Sequence, residues 1–258
     1  MLANYHTHTF RCHHAKGEDE DYVRAALDNG IRILGFSDHA PMLGRDYLKA
    51  DIRMRPELLS DYVHCIRKLR ETYADQLEIH IGLEVEYYPD IFRDLTEFYK
   101  RNGVEYLILG QHWIGKESVP GESCYMFRPT DSEANLSWFA DTLIEAMESE
   151  RFTYVAHPDI IQYTGPDEIF EKYMRKIARR AKELGIPAEI NLHGLRGSRN
   201  YPDPRFLRIA AEEGTPCIIG YDAHDPHEFY EHENYEAGLA LARNSGVKLL
   251  ETAELVRL

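Results

Sequence analysis

Residues 79–110 read IHIGLEVEYYPDIFRDLTEFYKRNGVEYLILG. A short apolar run, Ile79–Glu84, is followed by a longer amphipathic segment, Ile91–Asn102, a breaker at Asn102-Gly103 and a second apolar run, Tyr106–Gly110. Strand, helix and strand suit this order, with the glycine ending the helix. The unit repeats along the chain. Candidate strands are Leu2–His6, Ile33–Ser37, Ile79–Glu84, Tyr106–Gly110, Thr153–His157, Ala188–Asn191 and Cys217–Tyr221. Helical segments fall near Glu20–Asn29, Pro56–Ala74, Ile91–Asn102, Asp131–Glu150, Pro166–Leu184, Pro204–Glu213 and Glu231–Asn244. In Pro56–Ala74 the residues Leu58, Leu59, Tyr62, Val63, Ile66, Leu69 and Tyr73 recur at helical spacing. Seven strand–helix units in a row predict an α/β fold with parallel strands, either a closed barrel or an open doubly wound sheet. No GxGxxG or GxxxxGK[ST] motif follows the first strand, which counts against a nucleotide-binding doubly wound sheet.

The chain has 258 residues, and no linker or low-complexity stretch divides it, so one domain is expected over residues 1–258. Two connections, Ala40–Arg55 and Trp113–Thr130, are long enough to suggest function. Apolar residues make up 43% and charged residues 29%, which excludes disorder for most of the chain. Acidic residues outnumber basic ones 44 to 30, for a net charge of −14, and this sets the expectation of no nucleic-acid partner. Cys12, Cys65, Cys124 and Cys217 have neither disulfide-framework nor thiolate-metal spacing. The first ten residues, MLANYHTHTF, do not read as a signal peptide, and no apolar run is long enough to span a bilayer. A cytoplasmic protein without a membrane partner is the resulting expectation. The sequence sets none for oligomeric state.

The 13 histidines matter for where they fall. His6 and His8 close the first candidate strand, and His14 follows six residues later. His39 closes the second strand, Glu84 the third, His112 the fourth and His157 the fifth. Asp222 and His224 close the seventh. Six of seven strands thus deliver His, Asp or Glu at the carboxyl end, where α/β barrels build their active sites. Residues two apart on an extended chain point the same way, so His6 and His8 can grip one ion together. Imidazole and carboxylate donors suit zinc, iron or manganese. His64, His80 and His232 read as ordinary structural or surface histidines. His13 competes with His14, and His193 and His227 lie in loops on the same face.

His6-x-His8, Ser37-Asp38-His39, the strand end at Glu84, His112, His157-Pro158 and Asp222-x-His224 together resemble the motifs of the PHP (polymerase and histidinol phosphatase) superfamily. The resemblance runs from residue 4 to about 226. Arg53-Met54-Arg55, Gly82–Tyr87, Glu189-Ile190-Asn191 and Gly194-Leu195-Arg196 resemble its stand-alone histidinol-phosphatase branch. The resemblance implies a distorted seven-stranded (β/α)7 barrel with three divalent transition-metal ions (zinc, iron or manganese). One ion would take His6, His8, Glu84 and Asp222. A second would share Glu84 and add His112 and His157, and a third would take His14, His39 and His224. Two positions depart from the pattern: Tyr221 stands where the family commonly has Ser, and His193 where a small residue is expected.

The implied reaction is hydrolysis of a small phosphorylated substrate, L-histidinol phosphate, to L-histidinol and phosphate in histidine biosynthesis. Two nearby ions generate a hydroxide near neutral pH and clamp phosphoryl oxygens. Glu84 is the expected shared ligand, Asp222 a candidate proton donor and Arg196 a bidentate phosphate contact. Arg53 is a second candidate for the anion, and Glu86, Tyr87 and Asp225 for the cationic end of the substrate. Asp38 and Asp159 are expected to orient ligand imidazoles. The alternative is a phosphodiesterase or nuclease-like enzyme acting on a nucleotide or another small phosphate ester. A metal-dependent amidase and a non-catalytic metal-stabilised module are further rivals.

Overall fold

Short apolar runs become strands where both faces can be buried, as in a parallel sheet covered by helices. The computed structural model describes residues 1–43, 52–115 and 124–258. The middles of both long connections, residues 44–51 and 116–123, lie outside the described residues. Strands β1 (Ala3–Asn4), β2 (Ile33–Phe36), β3 (Glu78–Val85) and β4 (Tyr106–Leu109) form a parallel sheet in that order. An antiparallel pair, β5 (Trp113–Ile114) and β6 (Cys124–Tyr125), stands apart from it. β7 (Ala188–Asn191), β8 (Cys217–Gly220) and β9 (Leu249–Leu250) make a second parallel sheet.

The expected strand at Thr153–His157 joins the two sheets through single bridges rather than a ladder. Val155 bridges Leu109 on one side and Ala188 on the other, both in parallel. The Thr153 N–H donates to the Leu107 carbonyl at 2.8 Å, and the Glu189 N–H to the Val155 carbonyl at 2.9 Å. The remaining seam closes at Thr7 and Ala223, where the His8 N–H donates to the Ala223 carbonyl at 2.9 Å. The strand positions therefore follow one another around a ring: β1, β2, β3, β4, residues 153–157, β7 and β8. β1 is shorter than Leu2–His6 because β9 occupies the outer edge of β8 at Cys217 and Ile218, leaving the first segment to meet it only at Ala223. The seam is thus shared by two partners, and this is how the barrel is distorted.

Gly35 on β2 and Gly82 on β3 lack side chains because Tyr106 lies across them. A Cβ at Gly35 would come within 2.2 Å of the Tyr106 hydroxyl, and one at Gly82 within 2.3 Å of its ring. The phenol donates to the Tyr5 carbonyl at 2.8 Å. Tyr5, Tyr106, Ile108, Tyr154, Ala156 and Ile218 form an apolar layer inside the ring, separate from the larger core between sheet and helices. Each aromatic buried there contributes about 1.5–3 kcal/mol. The layer plugs the ring below the carboxyl ends of the strands.

Outside the ring lie α1 (Asp19–Asp28), α2 (Leu59–Thr72), α3 (Phe92–Asn102), α4 (Glu133–Glu148), α5 (Asp167–Leu184), α6 (Leu192–Arg196), α7 (Pro204–Glu213) and α8 (His232–Ser245). Seven match the sequence reading within a few residues. α3 ends on Gly103 at φ 90°, a left-handed conformation that favours glycine. α6 is the exception, too short for a 3.6-residue period to register. It exists because the Asn191 side-chain oxygen accepts the Gly194 N–H at 3.1 Å. Among the described residues no helix is long and apolar enough to cross a membrane.

At the base of the ring, Glu105 accepts from Arg70 at 2.6 Å and from the Ile81 N–H at 3.1 Å, and its carbonyl accepts the Leu258 N–H at 3.1 Å. Burial pushes its carboxyl up, but His80, Arg70 and the Ile81 amide outweigh that and hold it at about 2. A depressed folded-state value means the stabilisation is complete above the ordinary value of 4.5 and is lost as pH falls toward 2. Glu105→Gln is expected to lower the unfolding free energy at pH 7 by about 1–2 kcal/mol, allowing for the partial exposure of the group. Urea titrations of wild type and variant between pH 7 and 3 should show the gap narrowing below pH 4.5. A gap independent of pH would mean that packing, not charge, is responsible.

Candidate metal centre

The parallel strands bring their carboxyl ends to one rim. His6 and His8 flank the Thr7 bridge, fully buried, with ring centroids 5.1 Å apart. Glu84, near the end of β3, lies over Gly110, where a Cβ would come within 2.0 Å of Glu84 Oε1. Five imidazoles converge on that carboxylate. His157 Nε2 is 2.8 Å from Oε1, with His6 Nε2 and His112 Nε2 each at 3.6 Å. His39 Nδ1 is 2.8 Å from Oε2, and His8 Nε2 is at 3.7 Å. Asp222 Oδ1 lies 3.0 Å from His8 Nε2, 3.5 Å from His6 Nε2 and 3.4 Å from His224 Nδ1. The rings of His14, His39 and His224 form an adjoining group, with centroids 4.7–5.8 Å apart. It is His14, not His13, that stacks there. All nine side chains singled out in the sequence meet at this rim.

Two of these residues take a backbone conformation that side chains seldom adopt. His157 has φ 31° and Asp222 has φ 49°. Positive φ in a non-glycine residue costs energy and clusters at functional sites. Here it turns both side chains off the ends of their strands into the ring.

Charge in the cluster is balanced by protons. Burial pushes the Glu84 carboxyl up, yet His112, His39, His6 and the His157 hydrogen bond hold it well below the ordinary range. Burial likewise raises Asp222, but His6, His193, His8 and His224 hold it well below 3.8. The lowered carboxyl favours the carboxylate form of Asp222, the form a metal ligand takes. Burial lowers His8, but Asp222 and Asp38 outweigh it and lift the imidazole to about 9. His39 goes the other way, to about 3, through burial and the neighbouring His8. His6 Nε2, His8 Nε2 and Glu84 Oε2 are buried, and the close approaches of Asp222 to His8 and of His39 to Glu84 lack hydrogen-bond geometry at these atoms. Orphaned nitrogen and oxygen donors aimed at one another, within 4.8 Å in several groups of three, fit a divalent cation better than a hydrogen-bond network.

Around the cluster, Asp38 Oδ1 lies 3.4 Å from His8 Nδ1, as expected of an orienting carboxylate. Asp159 does not act in that way. Its Oδ2 accepts the Asp203 N–H, and burial lifts its carboxyl to about 7. Glu86, expected near the cationic end of a substrate, is buried between Arg53 at 3.2 Å and His112 Nδ1 at 3.3 Å. Arg53 is thereby turned away from the anion role. Tyr87 donates to Glu145 at 3.2 Å, and Asp225 accepts the His227 N–H at 3.0 Å, both away from the cluster. Arg196, expected to contact phosphate, lies 2.6 Å from Glu228, whose Oε2 accepts the His224 N–H at 2.8 Å. Tyr221 packs its ring on Phe229 at 4.8 Å.

A cavity of about 380 Å³ opens above the cluster. His14, His39, His112, Asp222 and His224 line its floor; Tyr125, Phe127, Tyr201, Arg199 and His193 line the rest, together with Ile52. Arg199 lies over the Phe127 ring at 4.5 Å and donates to the Tyr201 hydroxyl at 3.3 Å. Burial lowers His193 to about 4, so its ring is neutral. The aromatic wall and Arg199 went unread in the sequence because they come from separate loops with no period or motif.

The sequence profile of the family described as PHP domain matches residues 4–193 of this chain. A probable histidinol-phosphatase of Deinococcus radiodurans is 29% identical over 233 residues, covering 88% of each chain. The histidinol-phosphatase of Bacillus subtilis is 32% identical over 250 residues, covering 85% of this chain and 92% of its own. In structure, the fold is similar to histidinol phosphate phosphatase of Lactococcus lactis, crystallised with zinc, L-histidinol and phosphate. The TM-score is 0.76 at 17% identity, over 96% of this chain and 95% of the other.

Proposed function

Because the chain belongs to the PHP domain family, we propose that it is a divalent-metal-dependent phosphomonoesterase that hydrolyses L-histidinol phosphate to L-histidinol and phosphate. The observation that carries this reading is the set of orphaned buried donors around Glu84 and Asp222, opening directly into an aromatic-walled cavity. Three ions would be held by the sets His6, His8, Glu84 and Asp222; Glu84, His112 and His157; and His14, His39 and His224. Zinc, iron and manganese are all compatible with these donors. Ions bound there supply Lewis acidity, which lowers the pKa of a water and offsets charge on phosphoryl oxygens.

The protein's own residues do the rest. Glu84 bridges the two buried sets and keeps them at one spacing. Asp222 lines the cavity and, as a carboxylate, can take a proton from the attacking water and pass it to the departing alkoxide. Arg196 holds Glu228, and through it the backbone of His224. Among the described residues that line the cavity, Arg199 is the cation placed to meet the phosphate, and Tyr125, Phe127 and Tyr201 flank the flat imidazole of the substrate.

L-Histidinol phosphate should be hydrolysed with a kcat/KM at least ~10²-fold above that for p-nitrophenyl phosphate or nucleoside monophosphates. Steady-state kinetics on the metal-reconstituted protein checks this. Equal efficiencies would leave a phosphoesterase without this substrate, and preference for the nucleotide would favour the nuclease-like alternative. Arg199→Ala should raise KM for every phosphomonoester about tenfold, with a smaller change in kcat. An unchanged KM would remove Arg199 from the phosphate site.

A further inference from the structure

One strand end lacked a metal-ligating candidate in the sequence reading, that of β7. Glu189 stands on that strand, fully buried, and its side chain reaches two other strand positions and Asn191 on its own. Oε1 lies 2.8 Å from His6 Nδ1. Oε2 accepts the His157 N–H at 3.0 Å and one Asn191 side-chain N–H at 2.8 Å. Asn191 Nδ2 is also 3.1 Å from Asp222 Oδ2, so its amide can spend one hydrogen on each carboxylate. Room for this arrangement exists because residue 220 is glycine: a Cβ there would come within 1.9 Å of Glu189 Oε1. His6 is the ion-pair partner of Glu189 among the described residues.

We propose that Glu189 is a positioning residue that fixes His6 in the Nδ1–H tautomer and, through His157 and Asn191, sets the placement of three metal-facing side chains at once. The proposal rests on reading the site as a metal centre. A carboxylate can only accept, so His6 must donate from Nδ1, and when the ring carries a single proton its lone pair lies on Nε2. That nitrogen is the one buried without a hydrogen-bond partner, 3.6 Å from Glu84 Oε1 and 3.5 Å from Asp222 Oδ1. Pinning Nδ1 also stops the ring from flipping. The same carboxylate holds the backbone of His157 at its positive-φ turn and, one amide further, the second oxygen of Asp222. Ligands from the first, fifth and seventh strand positions are thus registered against one group on the sixth.

Glutamine distinguishes this from simple space-filling, because it has the same shape but one oxygen and one NH2. If its oxygen keeps the His157 and Asn191 donors, its NH2 faces His6 Nδ1 and drives the His6 proton onto Nε2. The experiment is titration of metal-free wild type, Glu189→Gln and Asn191→Ser with zinc against a chromophoric chelator, with circular dichroism to verify folding. Imidazole nitrogen NMR of the metal-free proteins, labelled with 15N-histidine and followed as pH is raised until the His6 ring is neutral, reads the tautomer. Glu189→Gln should bind its tightest zinc 10–100-fold more weakly and show a new Nε2–H imidazole. Asn191→Ser keeps the cap on α6 and should weaken zinc binding by a smaller factor without changing the tautomer. Wild-type affinity in a folded Glu189→Gln would overturn the proposal. Should that variant not fold, wild-type affinity in Asn191→Ser would overturn it instead. Failure of the wild type itself to take up zinc would overturn the metal-centre reading, a result distinct from either.

Discussion

Glu84→Gln is expected to fold normally and to lose at least ~10³-fold in kcat, with a much smaller change in KM. Five imidazoles share this carboxylate. The amide keeps its shape but offers one acceptor where two are used, and it carries no charge to balance cations. Ground-state binding of the phosphate should survive in part through Arg199, so the loss falls on turnover. Metal content by mass spectrometry should drop in parallel. Gly110→Ala tests the same point without touching a ligand, since its Cβ would come within 2.0 Å of Glu84 Oε1 and displace the carboxylate. Near-normal turnover in Glu84→Gln would show that the carboxylate does not bridge two ions.

The second large effect is that of metal removal. Dialysis against a chelator should abolish activity, and added zinc or manganese should restore it. An ion present at ~10³ times its dissociation constant stabilises the fold by about 4 kcal/mol, which for a chain of this size raises Tm by roughly 8–16 °C. The gap should widen with pH. His8 is lifted to about 9 by Asp222 and Asp38, against an ordinary 6.5. A raised value means that its pairing stabilises the metal-free protein fully below pH 6.5 and is lost as pH rises through 9. Scanning calorimetry of loaded and stripped protein at pH 6, 7.5 and 9 checks both points. A stripped protein with unchanged Tm at all three would argue against ions as part of the fold.

The sequence was most informative where chemistry and strand ends coincide. His6, His8, His39, Glu84, His112, His157, Asp222 and His224 could be picked out because a parallel barrel puts every carboxyl end on one rim, so position along the chain translates into position in space. His14 depended on the family resemblance. What stayed hidden depends on contacts between distant loops. Arg196 ends α6 and Arg199 stands three residues on, and only the fold shows that Glu228 lies beside the first and that the second lines the cavity. Glu86 was read as a contact for the cationic end of the substrate, yet Arg53 and His112 hold it inside. β9 and the β5–β6 pair are two-residue strands below the length at which alternation can be read. Glu189 was visible in the sequence only as a branch marker, and its role appears once His6, from the other end of the chain, is placed beside it.

The seam between Thr7 and Ala223 bears on how the protein holds together over time. The donors around Glu84 and Asp222 come from both ends of the chain and face one another only after that seam has closed. A cation therefore finds its full set of partners late, when the ring is already complete, and adds little to the barrier crossed on the way in. Its hold must be broken before the ring can reopen. Metal should leave the refolding rate nearly unchanged and slow unfolding instead, acting as a latch on a finished structure rather than a seed for it.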